Sequence, residues 1–137
     1  IKRAIALNHP DPKDGIDTLA KVGGLDLAGL AGVFLGGAIY RVPVVLDGFI
    51  SASAALAASV IHPLAKEYML PSHVSKEPAA KMVLEALGLE AGLHMDMCLG
   101  EGTGAVTLFP ILDLAAGIYH TMSTFQDINV EEYKPLA

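Results

Sequence analysis

A short run of β-branched residues between two long apolar segments is the feature that most constrains the fold. Residues 41–47 read RVPVVLD, which has the length and composition of a strand buried on both faces. Apolar segments of helical length lie before it, at 25–40, and after it, at about 50–61. This order predicts an α/β domain with a mainly parallel sheet. Ligands bind beyond the C-terminal ends of such strands, so Asp47 and Gly48 are predicted binding residues. Capping of the following helix is an equally good role for Asp47.

Glycines and prolines divide the rest of the chain into short elements. The segment 25–40 is apolar nearly all round, which predicts a buried helix. Its residues Gly29, Gly32 and Gly36 would let another backbone pack closely. Before residue 25 we expect the end of a helix over 1–7 and a short helix over 14–21. After residue 61 we expect a strand over 68–70, a helix over about 78–87, and a third strand or extended loop over 93–97. The chain should end with a helix over about 102–122, which Pro110 kinks or breaks, and a partly ordered tail over 125–137.

Charge and composition exclude several classes of protein. The 137 residues carry a net charge of −6 without a cluster of Lys or Arg, which argues against a nucleic-acid surface. The segment 48–65 has no charged residue, but its serines, histidine and proline favour a buried helix over a membrane span. The single cysteine, Cys98, cannot form an internal disulfide, so a reducing cytoplasm is expected. We expect Cys98 to be a small buried apolar residue.

The stretch LGEGTGA at 99–105 is the strongest candidate for chemistry. Glu101 stands among three glycines, and an apolar run of helical length follows. Glycines allow a tight turn and close approach of a ligand, and the free N–H groups of a helix N-terminus attract anions. Apolar neighbours such as Leu99 would partly desolvate Glu101, and desolvation raises a carboxyl pKa, which suits a general base. Alternatively, Glu101 simply favours the helix N-terminus and the glycines form a turn.

Two further positions have both a structural and a functional interpretation. The Ser75 hydroxyl would either cap the helix after it or hold a phosphate at that helix's N-terminus. Gly23 and Gly24 form a hinge between two helices. His73 receives no role. A metal site is not expected, because His94 and Asp96 would need a third ligand from elsewhere.

Four blocks in this order, namely KVGG-x-x-x-A-G-L-A-G, RVPVVLDGFIS, SHVSKEP and LGEGTGA, resemble one family. It is the family of nicotinate-nucleotide–dimethylbenzimidazole phosphoribosyltransferases of cobamide lower-ligand assembly. The resemblance covers roughly residues 1–130. It implies a helix-rich, three-layer α/β/α Rossmann-like fold. It also implies that residues 1–137 are the C-terminal portion of a single phosphoribosyltransferase domain whose N-terminal portion is absent here.

The resemblance also implies a reaction and its residues. The phosphoribosyl group of nicotinate mononucleotide would pass to 5,6-dimethylbenzimidazole or a related base, giving α-ribazole phosphate and nicotinate without a metal or cofactor. A cytoplasmic homodimer that binds neither nucleic acid nor membrane is expected. Two alternatives remain: an inactive fragment or phosphate-binding module, and an enzyme that uses a purine or a phenol as acceptor. The implied roles are catalytic base for Glu101, base pocket for Leu99, phosphate contacts for Gly48 and Ser75, and further substrate contacts for Asp47, Gly100, Gly102, Gly104, Gly23 and Gly24.

Overall fold

A computed structural model of the chain describes residues 1–131 and 133–135. It has the predicted helical character, with a small sheet between helices. The helices are α1 (Lys2–Asn8), α2 (Gly15–Val22), α3 (Leu25–Tyr40), α4 (Phe49–Ile61), α5 (Ala80–Leu87) and α6 (Thr103–Thr121), with a 3₁₀ helix at Pro63–Tyr68; the strands are β1 (Val44–Leu46) and β2 (Met69–Pro71).

The two strands pair in parallel, as the α/β prediction requires. Val44 lies opposite Met69, and Leu46 lies opposite Pro71. A parallel pair needs a crossover connection, and α4 with the 3₁₀ helix provides it. The prediction of an α/β Rossmann-like fold is therefore confirmed. The C-terminal ends of both strands reach the same edge of the sheet, which brings the residues after Leu46 beside those after Pro71.

Small side chains on α4 let the core close tightly. Four alanines of this helix are at most 4% exposed, and they pack with the buried side chains of Phe34, Leu46 and Met69. Alanine lets neighbouring backbones approach closely, so α4 contacts α2, α3 and α5. Helix α5 ends where predicted, because Gly88 takes the left-handed conformation (φ 66°) of a helix C-cap. No helix among the described residues has both the length and the hydropathy needed to cross a membrane.

Helix α3 is not buried all round, so that prediction is wrong for the described chain. Ala31, Phe34 and Gly37 face the core, but Val33 is 54% exposed and Ile39 is 74% exposed. Nothing lies within 4 Å of the positions where Cβ atoms would stand at Gly29, Gly32 and Gly36. No backbone of the described residues therefore uses these glycines for close packing. The close approach occurs instead at Gly37, where a Cβ would stand 2.9 Å from the Val42 carbonyl oxygen.

The segment after α5 is the extended loop, which was one of the two alternatives that the sequence left open for residues 93–97. It forms an extended loop with one isolated parallel bridge, between His73 and Leu93. The Val74 N–H donates to the Leu93 carbonyl at 3.0 Å, and the Lys76 N–H donates to the Met97 carbonyl at 3.0 Å. A third strand does not form, but this loop lies against the segment that follows β2 and carries the chain to residue 99.

The C-terminal part departs from the prediction in one respect. Helix α6 runs without interruption through Pro110, so of the two predicted effects, a kink or a local break, the break does not occur. After Thr121 the chain makes turns over 125–129 and is exposed. The predicted tail also includes positions 132, 136 and 137, which lie outside the described residues.

Substitution of Gly37 by alanine should destabilise the fold. The new methyl group would collide with the Val42 carbonyl oxygen and the Val44 side chain, at a cost of about 2 kcal/mol. Gly29→Ala is the matched control on the same helix, because its methyl group would enter open space and alanine favours the helix. Thermal unfolding of the full-length protein measures both. Equal midpoints for the two variants would contradict the packing described here.

Candidate functional site

A cavity of about 790 Å³ opens at the C-terminal edge of the sheet. It lies between the β1–α4 junction, the segment after β2 and the loop before α6, and its volume is typical of a small-molecule site. Most of the predicted site residues meet there. They are Asp47, Gly48, Ser75, Leu99, Gly100, Glu101 and Gly102.

The Asp47 carboxylate binds the N-terminus of α6. One oxygen accepts hydrogen bonds from the N–H groups of Gly104 (2.7 Å) and Ala105 (3.2 Å), and the other accepts from Gly102 (3.1 Å). These are charge-assisted bonds to a helix end that carries partial positive charge. The carboxylate thus fastens a helix that begins 56 residues later to the end of β1 (103 less 47).

This geometry corrects two expectations. Asp47 does not cap α4, the helix that follows it, because the N-cap residue of α4 is Gly48 and has no side-chain cap. The anion at the N-terminus of α6 is a carboxylate of the chain itself rather than an anion of a ligand. The tertiary structure determines which helix Asp47 caps, because it brings the end of β1 beside the loop before α6.

The N-terminus of α4 faces the cavity. Gly48, Phe49, Ile50 and Ser51 all line it, and no side chain of the described residues caps the first turn. The first N–H groups of a helix have no partner within the helix, so they are available to an anion. None of the described lining residues is Lys or Arg, and three of them are acidic: Asp47, Glu77 and Glu101. With no basic side chain among the described lining residues, an anion in this site would depend on the N–H groups of this helix end.

Three successive left-handed residues present Glu101 to the cavity. The φ angles are 76° at Gly100, 57° at Glu101 and 78° at Gly102. Glycine adopts this conformation without steric cost, whereas a glutamate there is strained by about 1–3 kcal/mol. The predicted glycine turn is therefore confirmed, and it holds a non-glycine residue in an unfavourable conformation at the cavity's edge.

Three side chains around this turn are more exposed than predicted. Glu101 is exposed, so the described residues do not provide the apolar surroundings that the prediction of a desolvated carboxyl required. Leu99 lines the cavity but is 70% exposed. Cys98 is also exposed, so its prediction as a buried residue is wrong. The loop crosses the surface of the described chain, and no described element covers its outer side.

Gly104 is required for close packing, whereas Gly100 and Gly102 are required for their left-handed φ angles. A Cβ at this position would overlap the His73 ring and stand 3.0 Å from an Asp47 carboxylate oxygen. Gly104 is buried and does not line the cavity. Its role in the structure is to let α6 approach the end of the sheet.

A buried pair that sequence reasoning did not use connects these parts. The Ser72 hydroxyl donates to the Asp47 carbonyl oxygen at 2.9 Å and lies 3.0 Å from His73 Nδ1. Ser72 is fully buried, and His73 is 6% exposed and lines the cavity. Both residues follow β2 directly, at the same sheet edge as Asp47. That position was the signal available in the sequence.

Ser75 lines the cavity and does not cap α5. That helix begins at Ala80, with Ala79 as its N-cap residue, so the capping interpretation is wrong. The Ser75 side chain is buried, and its oxygen accepts a long hydrogen bond, 3.4 Å, from the Glu77 N–H. Pro78 lies in the turn before α5 rather than in its first turn.

Gly23 and Gly24 are not brought to the cavity. Gly23 ends α2, and its N–H donates to the Leu19 carbonyl at 3.0 Å; Gly24 is the N-cap residue of α3. A Cβ at Gly23 would stand 2.7 Å from the Leu19 carbonyl oxygen, which is a local reason for glycine. Their place in the structure is the predicted helix junction.

Comparisons with known proteins agree with this architecture. Residues 1–130 match a family model described as phosphoribosyltransferase, DBI_PRT. The chain belongs to this family. It is 57% identical over 136 residues to the nicotinate-nucleotide–dimethylbenzimidazole phosphoribosyltransferase of Clostridium acetobutylicum, covering 99% of the chain. With the protein of the same name from Acetivibrio thermocellus it shares 53% identity over 135 residues, 98% of the chain.

A solved structure shares the fold as well as the sequence. The crystal structure of CobT from Thermus thermophilus is 42% identical and superposes with a TM-score of 0.86 over 96% of the chain. The chain spans 39% of that structure, and 39% and 38% of the two relatives. The predicted family is confirmed. The assignment of the chain to the C-terminal portion of the domain stays a prediction.

No group of three His, Cys, Asp or Glu side chains stands close enough to hold a metal ion within residues 1–131 and 133–135. The polar groups that line the cavity are carboxylates, the Ser51 and Ser75 hydroxyls, the His73 ring, the Cys98 thiol and backbone N–H groups. Groups of these kinds can donate hydrogen bonds to an anion and accept a proton.

Replacement of Asp47 by asparagine should loosen the start of α6. The amide keeps one oxygen acceptor but loses the charge and turns N–H groups toward the N–H donors of the helix, so we expect a loss of about 2 kcal/mol. The exposed Asp113 on α6 is the matched control, since Asp113→Asn removes the same charge. Thermal unfolding and hydrogen exchange at the first amides of α6 measure the effect. Equal behaviour of the two variants would contradict the anchoring role.

Proposed function

We propose that the full-length protein transfers the phosphoribosyl group of nicotinate mononucleotide to 5,6-dimethylbenzimidazole or a related base, giving α-ribazole phosphate and nicotinate. The single observation that carries the proposal is that Glu101 and the uncapped N-terminus of α4 face one cavity. Family membership supports it, because relatives at 57% and 53% identity are named for this reaction.

The phosphate of the nucleotide binds, in this proposal, at the N-terminus of α4. Gly48 lets the backbone approach the phosphate, and the first N–H groups of the helix donate to it. The Ser75 hydroxyl adds a donor from the segment after β2. The N-terminus of α6 is not available to the phosphate, because Asp47 already accepts its hydrogen bonds. The helix end at Gly48 is therefore the better phosphate site.

Glu101 acts in this proposal as the general base. One nitrogen of the incoming base forms a bond to ribose C1′ while the bond from C1′ to the pyridinium nitrogen of nicotinate breaks, with inversion. The electron pair of the broken bond goes to the pyridine nitrogen, which neutralises its positive charge. The other nitrogen of the base loses its proton to the Glu101 carboxylate. Alignment of the two substrates contributes the rest of the rate enhancement.

The open side of the loop fits the position of the acceptor base. Leu99 offers an exposed apolar surface next to Glu101. An aromatic base against Leu99 would cover both side chains and remove water from the carboxylate. The desolvation that the described residues do not provide would then come from the substrate and from the rest of the protein.

The larger assembly is part of the proposal. We assign residues 1–137 to the C-terminal portion of a single phosphoribosyltransferase domain, in a cytoplasmic homodimer. The exposed apolar side chains of α3 and α6, among them Val33 and Phe109, are surfaces that a larger protein would cover.

Glu101→Gln in the full-length protein should reduce nicotinate release by roughly 100-fold or more while nucleotide affinity stays nearly unchanged, because the amide cannot accept the proton. Glu90→Gln, at an exposed residue outside the cavity, is the control. Release of nicotinate from the mononucleotide with dimethylbenzimidazole, and calorimetric binding of the nucleotide, measure the two effects. Turnover close to that of the native protein would exclude Glu101 as the base. Nucleotide binding without turnover in the native protein would favour a binding module.

Ser75→Ala should weaken binding of nicotinate mononucleotide about fivefold to tenfold, since one hydrogen bond to a charged group is lost. Ser59→Ala on α4 is a control, because among the described residues that hydroxyl bonds only to the Leu56 carbonyl within its own helix. Unchanged affinity in the Ser75 variant would remove this residue from the phosphate site.

A further inference from the structure

His73 is a buried titratable side chain of the cavity that the proposed reaction leaves unused. Its ring lies between two glycines at the sheet edge. The ring atom Cε1 stands 4.0 Å from the place where a Gly48 Cβ would be, and a Cβ at Gly104 would overlap the ring. Packing on both sides therefore fixes the ring, and the side chain is only 6% exposed.

The hydrogen bonds of Ser72 determine which ring nitrogen carries the proton. The Asp47 carbonyl oxygen can only accept, so the Ser72 hydroxyl donates its hydrogen there. The same hydroxyl lies 3.0 Å from His73 Nδ1 and has no second hydrogen to give. It must therefore accept from Nδ1–H. In the neutral imidazole this leaves Nε2 as a hydrogen-bond acceptor.

The acceptor nitrogen faces the cavity. His73 Nε2 makes no hydrogen bond with the described residues. Among these residues, every side-chain nitrogen or oxygen that is sealed from solvent has a hydrogen-bond partner. Nε2 must therefore reach open space, and His73 lines the cavity beside Asp47, Gly48 and Ser75. The ring thus presents Nε2 to the cavity, held in place by packing and by Ser72.

We propose that His73 Nε2 accepts a hydrogen bond from a ribose hydroxyl of the bound nucleotide. This inference rests on the proposed function. The phosphate and carboxylate of nicotinate mononucleotide can only accept at neutral pH, so its two ribose hydroxyls are the donors that it offers. Their partner must be an acceptor near the phosphate site, which is where His73 lies. The residue would orient the sugar so that C1′ faces the incoming base.

Two substitutions separate this role from a structural one. In His73→Asn the amide keeps the reach of Nδ1 and can still donate to Ser72, but nothing extends to the cavity. In His73→Gln the amide oxygen reaches the position of Nε2, while the bond to Ser72 is lost. Contact with the ribose predicts that His73→Asn weakens nucleotide binding about fivefold and that His73→Gln retains more of the affinity. If His73 only supports the fold through Ser72, His73→Asn should retain more of the nucleotide affinity than His73→Gln.

Deoxy nucleotides identify the partner atom. Calorimetric titration of the full-length native protein with nicotinate mononucleotide and its 2′-deoxy and 3′-deoxy forms should reveal a loss of about fivefold for one of the two. That loss should disappear in His73→Asn, because the acceptor is already gone. Melting temperatures of both variants report whether the fold is intact.

Two results would overturn the inference. One is that His73→Asn weakens the binding of nicotinate mononucleotide and of both deoxy forms by the same factor, which would assign the ring to the phosphate. The other is affinity in His73→Asn equal to that of the native protein. Failure of the native protein to bind nicotinate mononucleotide at all would overturn the proposed function together with this inference, so the two failures are distinguishable.

Discussion

The contact on which the rest of this structure depends is the Asp47 carboxylate against the N-terminus of α6. Helix α6 buries little against the described chain, since only Gly104 and Leu108 are buried among its residues. Hydrophobic burial therefore contributes little to holding it there. Three charge-assisted hydrogen bonds and the helix dipole hold it instead at the end of β1. The same contact determines where the loop before α6 stands, and with it Glu101.

This contact also gives different roles to two helix N-termini at one sheet edge. The end of α6 is satisfied by a carboxylate of the protein, whereas the end of α4 has no side-chain cap. A single cavity therefore has a carboxylate already bound to a helix N-terminus on one side and a helix N-terminus without a side-chain cap on the other. Ser72 and His73 lie between them and connect the Asp47 carbonyl to the cavity. The geometry suits a ligand that is anionic at one end and reacts at the other.

Local patterns predicted the elements that local forces control. The strand before Asp47, the helices on both sides of it and the end of α5 at Gly88 all agree with the sequence. The turn around Glu101 was predictable too, because glycines at 100 and 102 favour left-handed φ angles. The rest depended on neighbours that sequence reasoning could not place. These were the burial of α3, which was predicted wrongly, and two choices that the sequence left open: strand or loop at 93–97, and helix cap or phosphate contact at Ser75.

For the site, the residue types were predictable and their partners were not. Gly104 looked like the other glycines of its motif, but contact with His73 explains it. Asp47 looked like a cap for the next helix, but it caps α6, which begins at Thr103. His73 and Ser72 carried no pattern beyond their position after a strand.

The sequence by itself determined the order of strand and helices, the glycine turn that carries Glu101 and the membership of the chain in its family. Those properties depend on neighbours within a few residues or on motifs read in order. The tertiary structure decided which helix Asp47 caps, which helix end stays open to an anion and which nitrogen of His73 carries its proton. These depend on hydrogen bonds between residues far apart in the chain, and only the parallel pairing of β1 with β2 brings those residues together.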